Sequence, residues 1–272
     1  TSIPLLTDIG YQPFGPVRSW SWGNSTSTSV NTYARGFDLD GRITSYPLGS
    51  GVNNGTNRTV AYDAASRIGA TTHSGTGTGS NAPANYNQNF QYDNLDRLNS
   101  VIASNASQGY QYDANGNRTQ ATYGGTAYGN TIAAGSNRLT ATAGPAPTKA
   151  MTYDAMGNVL GDGTNSYTYS ARGRMDSAKA GANAATSYRY NGLGQRTRKT
   201  GPTALVTSGT NYYVYDEAGR LLGEYDVNGK VIEETVYLGD VPVATLTQTI
   251  TGVAPGYVIT TNVHYIYADH LN

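Results

Sequence analysis

The sequence predicts an all-β protein, a strip of antiparallel β-hairpins. One short pattern recurs along the chain: an aromatic residue, then Asp, Asn or Ser, two variable residues, usually Gly, and often Arg or Lys. Aromatic and aliphatic residues suited to a pleated sheet flank it, as in 212–215 and 221–225. No long amphipathic helical period is visible, although the Ala-rich stretch 178–185 permits a short helix. A repeated unit therefore organises this protein.

Each copy of the pattern predicts the tip of a hairpin. Residues 216–219 match a type I turn, which favours Asp, Asn or Ser at its first position and Gly at its fourth. The polar side chain accepts backbone N–H groups, and Gly adopts the positive φ that closes a hairpin with a bulge. Asp96 takes the Gly position of one copy, and Ser66, the poorest match, that of another. The predicted structural turn positions are Asp38, Gly41, Asp63, Asp93, Asp113, Gly116, Asp154, Gly157, Gly173, Asn191, Gly194, Asp216, Gly219, Asp226 and Gly229.

The remaining elements are predicted from local composition. Residues 20–24 alternate like a strand and end in the turn pair Gly23-Asn24. Small-residue and Pro/Gly-rich segments predict connections between hairpins at 75–81, 124–126 and 141–147. Residues 230–246 read as strand, turn, strand, and Pro242 places the second of these strands at a sheet edge or at a bulge.

Composition favours a layer or shell over a thick globular core. The 272 residues include 23 Tyr and 34 Gly, but only 3 Phe and 2 Trp, so Tyr must supply most of the aromatic packing. A buried Tyr ring keeps a hydroxyl that needs a partner or water, which suits a sheet with one wet side. We therefore expect extended sheets.

Charge and cysteine content exclude several classes of function. The 18 basic and 18 acidic residues give a net charge of zero without charge runs, so the footprint of a nucleic-acid-binding protein is missing. No apolar stretch approaches the roughly 18 residues that span a bilayer. The absence of Cys excludes disulfides, thiolate metal sites and Cys nucleophiles.

Candidate chemical residues have plainer structural interpretations. His73, in a Gly/Thr loop, His264 and His270 show no metal-ligand spacing and read as surface or packing residues. The repeat Asp residues could form acid/base pairs or Ca²⁺ ligands, but their shared place at the start of a turn favours turn capping. The glycines of segment 75–79 lack a Lys-Ser/Thr partner and read as a linker. We expect no catalytic, cofactor-binding or metal-binding residues, no cofactor and no enzyme.

The termini suggest a piece of a longer array. The chain starts at Thr1 without Met and stops at Asn272 without a turn signal. If strands continue beyond both ends, this segment has open sheet edges, which recruit other strands. The expected partners are the remainder of its own polypeptide or identical copies.

Three features together resemble the bacterial Rhs/YD-repeat family. They are the repeated Tyr-Asp turns, the segment Tyr-Leu-Gly-Asp-Val-Pro-Val-Ala at 237–244, and the terminal block 264–272. Residues 11–16 followed by Gly23-Asn24 are similar to the block that opens a run of such repeats. On this resemblance we expect one β region over 1–272, with an opening block (1–32), the repeats (33–230) and the truncated start of the family's C-terminal core block (231–272).

The resemblance implies a β-strip that spirals into a hollow shell, secreted or at the bacterial cell surface, that encloses a C-terminal toxin. The family's core continues to a self-cleavage motif and an effector, and this sequence stops before both, so no cleavage or toxin residue carries over. The implied function is a non-catalytic wall segment.

Two alternatives stay open. The neutral, Tyr/Gly/Ser/Thr-rich composition and the open edges fit an extracellular structural or adhesive polymer, whereas an enzyme rests only on the presence of polar residues.

Overall fold

The fold is built almost entirely from strands. The computed structural model describes residues 4–23, 32–49, 55–252 and 256–271, so Asn24 and Asn272 lie outside the described residues. Within those ranges there are 25 strands and three short 3₁₀ helices. The all-β antiparallel prediction is confirmed. The 3₁₀ helices are Gly79–Asn81, Pro83–Tyr86 and Thr207–Gly209.

The strands form three sheets, one of three strands and two of eleven. The first contains β1 (Leu6–Tyr11), β2 (Val17–Trp22) and β3 (Thr32–Ala34). The second contains β4 (Gly36–Phe37), β5 (Ile43–Pro47), β6 (Asn57–Tyr62), β7 (Ile68–Ser74), β8 (Gln88–Tyr92), β9 (Leu98–Ala103), β10 (Gln108–Tyr112), β11 (Arg118–Tyr123), β12 (Thr126–Ile132), β13 (Leu139–Ala143) and β14 (Lys149–Ala150). The third contains β15 (Thr152–Tyr153), β16 (Val159–Gly161), β17 (Asn165–Tyr169), β18 (Met175–Ala180), β19 (Thr186–Tyr190), β20 (Arg196–Thr200), β21 (Thr210–Tyr215), β22 (Leu221–Asp226), β23 (Val231–Leu238), β24 (Val241–Thr251) and β25 (Val258–Tyr265).

Each sheet is a meander in which strands adjacent in sequence are adjacent in space. The hairpins share a β-bulge beside the repeat tyrosine: β6 and β7 pair Ala61 with Ala70 but Tyr62 with Ile68. β21 and β22 repeat this shift at Tyr215. A bulge increases the local strand twist, and here it recurs at the base of successive tips.

The residues divide into two compact units. Unit 1 comprises 1–128, 238–242 and 265–272, and unit 2 comprises 129–237 and 243–264. Few described side chains in either unit are fully buried. In β8 and in β17, half-buried residues alternate with exposed ones, as expected of a sheet with one wet side.

An aromatic cluster in unit 1 is the most deeply buried group of side chains. Trp20 and Tyr33 are both 0% exposed and stack with ring centroids 4.2 Å apart. Trp22 lies 5.0 Å from Tyr265 and 4.9 Å from Tyr267, centroid to centroid. The two Trp residues therefore supply much of the packing in this cluster. Composition alone had assigned most of the aromatic packing to Tyr.

The C-terminal segment of unit 1 is also held by polar contacts. The Tyr33 hydroxyl donates to the backbone carbonyl of Ala268, and the buried Arg35 donates from Nε to the Tyr33 hydroxyl at 3.1 Å. Tyr46 Oη lies 3.2 Å from His270 Nδ1. The contacts to Ala268 and His270 join residues more than 200 positions apart in sequence.

One local expectation was wrong, and a short helix that the composition only permitted does not form. The Ala-rich stretch forms no helix: it contains the end of β18 and a turn, and β18 pairs with β17 from Asn165–Ala180 to Tyr169–Met175. Strand pairing here overrides the helix propensity of Ala. Residues 141–143, expected in a connection, form the end of β13.

The expected edge position of Pro242 was also wrong. Pro242 lies in β24, and β24 has β23 and β25 as neighbours in the strand order. Val241 and Val243 on either side are buried. The alternative, a bulge at Pro242, stays a prediction.

His73 lies in a strand, not in a loop. It belongs to β7 and is 8% exposed. Arg58 Nε donates to His73 Nε2 at 2.8 Å, so the neutral ring carries its proton on Nδ1, which faces Asn87 Oδ1 at 3.3 Å. The sequence 71–75 reads as a loop because Thr and Gly flank His73 along the chain, but the side chains of Thr71 and His73 are both buried.

We expect unit 1 to lose stability as the pH falls through about 6.5. Burial, and then the Arg58 guanidinium, lower the pKa of His73 below its usual 6.5. The unfolded chain therefore binds a proton where the folded chain does not, and the loss levels off below the folded pKa. Urea unfolding between about pH 7.5 and about pH 5.5 measures this slope. His73→Gln should flatten it, and an unchanged slope in that variant would contradict the assignment.

Candidate functional site

Eight of the nine predicted tips lie at one edge of the two eleven-stranded sheets, four in each. In a meander, every second connection lies at the same edge, so the turns that start at residues 38, 63, 93 and 113 share an edge in unit 1. The turns that start at residues 154, 170, 191 and 216 share an edge in unit 2. We call each of these two groups a turn column. The ninth tip, at Asp226, joins β22 to β23 and therefore lies at the opposite edge from the turn at Asp216.

Each turn is held by the same local hydrogen bonds. In the turn at Asp63, the Asp63 N–H donates to the Arg67 carbonyl at 2.8 Å, and the Ser66 N–H donates to the Asp63 carbonyl at 3.0 Å. Asp63 Oδ1 accepts the N–H groups of Ala65 and Arg67, both at 2.9 Å. The first-position side chain thus satisfies backbone donors that the tight turn leaves open.

The fourth residue of every turn has a positive φ. The glycines are Gly41 (77°), Gly116 (86°), Gly157 (91°), Gly173 (70°), Gly194 (80°), Gly219 (87°) and Gly229 (77°). Ser66 and Asp96 adopt 62° at the same position. This region is strained for residues with a Cβ, so these two need a compensating contact.

The fifth residue closes the turn on the first. Arg42, Arg97 and Arg220 place Nε within 2.8, 2.7 and 2.6 Å of the Asp carboxylate of their own turn. Asn117 and Asn158 donate from Nδ2 to the Asp carboxylate, at 2.8 Å in each case. The pKa of Asp63 is held below its usual value, first by the Arg67 N–H and then by the Arg67 side chain. The carboxylates are therefore occupied as turn caps.

The arginines also contact the next turn. The Arg guanidinium lies over the ring of the following repeat tyrosine, and the sequence pattern does not reveal this contact. The distances from Cζ to the ring centroid are 4.6 Å for Arg42 over Tyr62, 4.5 Å for Arg67 over Tyr92, 4.7 Å for Arg97 over Tyr112, 5.6 Å for Arg138 over Tyr153 and 5.2 Å for Arg220 over Tyr237. Each such cation–π contact contributes about 0.5–1 kcal/mol at an exposed site.

The repeat tyrosine completes the link with its hydroxyl. It donates to the backbone carbonyl of the first residue of the outgoing strand in the preceding hairpin. These bonds run from Tyr62 to Ile43 (2.9 Å), Tyr92 to Ile68 (2.8 Å), Tyr112 to Leu98 (2.7 Å), Tyr153 to Leu139 (2.5 Å), Tyr190 to Met175 (2.8 Å), Tyr215 to Arg196 (3.0 Å) and Tyr237 to Leu221 (3.2 Å). The ring is half-buried between hairpins while its hydroxyl keeps a hydrogen-bond acceptor.

The same geometry favours Gly at two turns of the unit 2 column. A Cβ on Gly194 would come within 2.5 Å of Arg174 Nη2, and one on Gly219 within 3.2 Å of Gln195 Nε2. In unit 1, Arg42 Nη1 instead donates to Ser66 Oγ at 2.7 Å, and Arg67 Nη1 pairs with the Asp96 carboxylate. Ser66 and Asp96 thus offset their backbone strain by accepting a bond from the preceding turn.

Asp96→Ala is expected to destabilise unit 1 by about 1–2 kcal/mol, since Ala keeps the positive φ and removes the acceptor of Arg67. Asp96→Gly removes the acceptor but also the strain, so it should cost less. Urea unfolding of the two variants measures the difference. Equal losses would exclude a contribution from φ, and a Gly variant more stable than the natural chain would show that the Arg67 contact does not offset the backbone strain.

Two members of this arrangement lack the sequence pattern. At residues 133–138 the Ala133 N–H donates to the Arg138 carbonyl, although Ala replaces the Asp. Arg138 stands five residues after the first residue of its turn, one more than the arginines of the other turns, and Tyr153 follows it. This spacing is the signal that could have identified the turn. The turn at 239–240 has no Asp-first template, but Tyr237 before it makes the standard link to the preceding hairpin.

The site has the character of a scaffold. Within the described ranges, no group of three or more His, Asp or Glu residues could hold a metal ion. His264 Nε2 lies 3.4 Å from Thr247 Oγ1, and His73 and His270 make the packing contacts already described. None of the helices in the described part of the chain is long and apolar enough to cross a membrane. What the columns do chemically is fix each hairpin to its neighbours.

Antiparallel meanders with Tyr-Asp turns repeated along one edge define a YD-repeat β-protein. Residues 23–237 match the family described as Teneurin YD-shell, and the chain belongs to this family. No curated protein sequence matches the chain.

Two solved structures are similar at low identity. The Tc holotoxin pore of Photorhabdus luminescens, in a TccC3 mutant, has a TM-score of 0.46 and 12% identity over 94% of this chain and 15% of that chain. The crystal structure of TcdB2-TccC3-Cdc42 has a TM-score of 0.45 and 15% identity over 95% of this chain and 18% of that chain. The chain thus spans less than a fifth of the length of either structure.

Proposed function

We propose that this chain is a wall segment of a secreted bacterial β-shell that encloses a C-terminal toxin domain, with no catalysis of its own. The chain's membership of the YD-shell family supports the structural role. The observation that carries the proposal is the link between successive turns, in which an arginine stacks on the next tyrosine and that tyrosine binds the preceding strand.

Such links suit a wall. A thin sheet buries too little apolar surface to be stabilised by a thick core, and here the Tyr hydroxyls and Arg side chains hold adjacent hairpins together through polar contacts at the sheet edge. Under this proposal the predicted turn positions have a structural role only. Residues 1–272 belong to one continuous repeat region, and its open strand edges pair with the remainder of the same polypeptide.

Electron microscopy of the native particle, with mass spectrometry of its chain ends, tests the proposal. A closed hollow particle with extra density inside, and an internal fragment that resists protease until the particle is opened, is the expected result. A continuous fibre of repeating copies would replace the shell with a structural polymer. A closed particle with no enclosed polypeptide would overturn encapsulation while leaving the wall role intact.

A further inference from the structure

One turn of the unit 2 column lacks the carboxylate that its arginine would use. In the turn 170–174, Ser170 stands where Asp216 stands in a later turn. Arg220 pairs with Asp216 at 2.6 Å, whereas Ser170 Oγ only accepts the Arg174 N–H, at 3.3 Å. Among the described residues, no carboxylate lies within ion-pair distance of the Arg174 guanidinium. This arginine therefore carries an uncompensated charge.

A cleft of about 470 Å³ opens beside this turn. Arg172, Arg174 and Arg189 line it, with Asp176 as the only acidic residue in its lining. Arg189 Nη1 lies 3.0 Å from Asp176 Oδ1, so that carboxylate is already paired. Two positive charges of the lining are left without a counter-charge. The hydroxyls of Ser170 and Tyr188 add neutral hydrogen-bonding groups.

Arg174 is positioned by the neighbouring turn. A Cβ on Gly194 would lie 2.5 Å from Arg174 Nη2, so the guanidinium packs directly against the backbone of that turn. Tyr190, just before that turn, donates its hydroxyl to the Met175 carbonyl at 2.8 Å and fixes the strand next to Arg174. A guanidinium with a fixed plane presents two parallel N–H donors, which match the two oxygens of a carboxylate or phosphate.

We propose that the cleft at Arg172, Arg174 and Arg189 is an oxyanion-binding site. It takes a carboxylate or phosphate group in the place that the Asp carboxylate occupies in other turns. The anion completes the turn from outside, with Arg174 as its principal donor. A carboxylate of another chain segment and a free phosphate share this chemistry.

The matched test is to supply the carboxylate within the chain. In the intact protein, ³¹P NMR titration measures the binding of inorganic phosphate, and acetate is then added as a competitor. Ser170→Asp places a carboxylate next to Arg174, and we expect it to weaken phosphate binding at least about tenfold. Arg174→Gln removes the donor and should do the same. Ala182→Asp makes the same charge change in an exposed turn at the opposite edge of the sheet, where screening should limit its effect to less than about twofold.

The outcomes separate clearly. Loss of phosphate binding in Ser170→Asp and Arg174→Gln but not in Ala182→Asp supports the site. Competition by acetate then identifies a carboxylate source, and resistance to acetate a phosphate source. Absence of binding, or equal losses in all three variants, overturns the proposal. Asp216→Ser provides the converse test: it removes the carboxylate partner of Arg220, but without the flanking arginines the variant turn should gain less than a tenth of the affinity of the natural cleft, and equal affinity would also overturn the proposal.

Discussion

Gly219→Val is expected to lower the free energy of unfolding of unit 2 by about 2–4 kcal/mol. Gly219 has a φ of 87°, which a β-branched residue adopts only with strain. Its missing Cβ would also lie 3.2 Å from Gln195 Nε2, so the side chain that closes the preceding turn must move. Backbone strain and the displaced contact act in the same direction.

Ala218→Val is the matched control, because Ala218 is the exposed neighbour in the same turn and does not have a positive φ. This change should stay within about 0.5 kcal/mol. Urea unfolding, followed by tyrosine fluorescence, measures both variants. Equal losses would refute a requirement for positive φ at the fourth turn position.

Tyr33→Ala is expected to cost about 3–5 kcal/mol in unit 1. Tyr33 is fully buried, stacks on Trp20, and its hydroxyl contacts both the Ala268 carbonyl and the buried Arg35. Truncation leaves a cavity beside Trp20 and removes a hydrogen-bond acceptor of a buried guanidinium. Both the packing and the hydrogen bonding of Tyr33 help to hold residues 265–269 in place, so both are lost there.

Tyr33→Phe separates packing from hydrogen bonding. Phe keeps the ring and removes only the hydroxyl, so the expected cost is about 1–3 kcal/mol, from the partners left unsatisfied. Hydrogen exchange of the 265–269 amides should accelerate in both variants, more strongly in Tyr33→Ala. A Phe variant as unstable as the Ala variant would show that the ring packing contributes little.

The sequence predicts the fold class because the hairpin turns depend on contacts within five residues. Asp63 and Arg67 lie close enough in the chain for their pairing to be read from spacing alone. The Arg-to-Tyr contacts join residues whose spacing varies: Arg42 lies 20 positions before Tyr62, and Arg97 lies 15 before Tyr112. Such contacts depend on which strands pair, and the local pattern does not encode that.

The sequence also does not show at which edge of the sheet a turn lies. Asp226 carries the full pattern, but it follows the Asp216 turn by a single strand and so falls at the opposite edge. Residues 133–138 lack the Asp and still form a turn. Edge assignment depends on counting strands between turns, and β-strands as short as Val159–Gly161 give too weak a signal to count.

The link from Arg67 through Tyr92 to the Ile68 carbonyl has an evolutionary consequence. Each link joins one hairpin only to the next, so a two-strand module carries on its two sides everything that it needs to join identical modules. Gene duplication within such an array inserts a new module without disturbing distant contacts. Natural lengthening and shortening of the array should therefore occur in whole modules, with module boundaries at the bulged base of each tip.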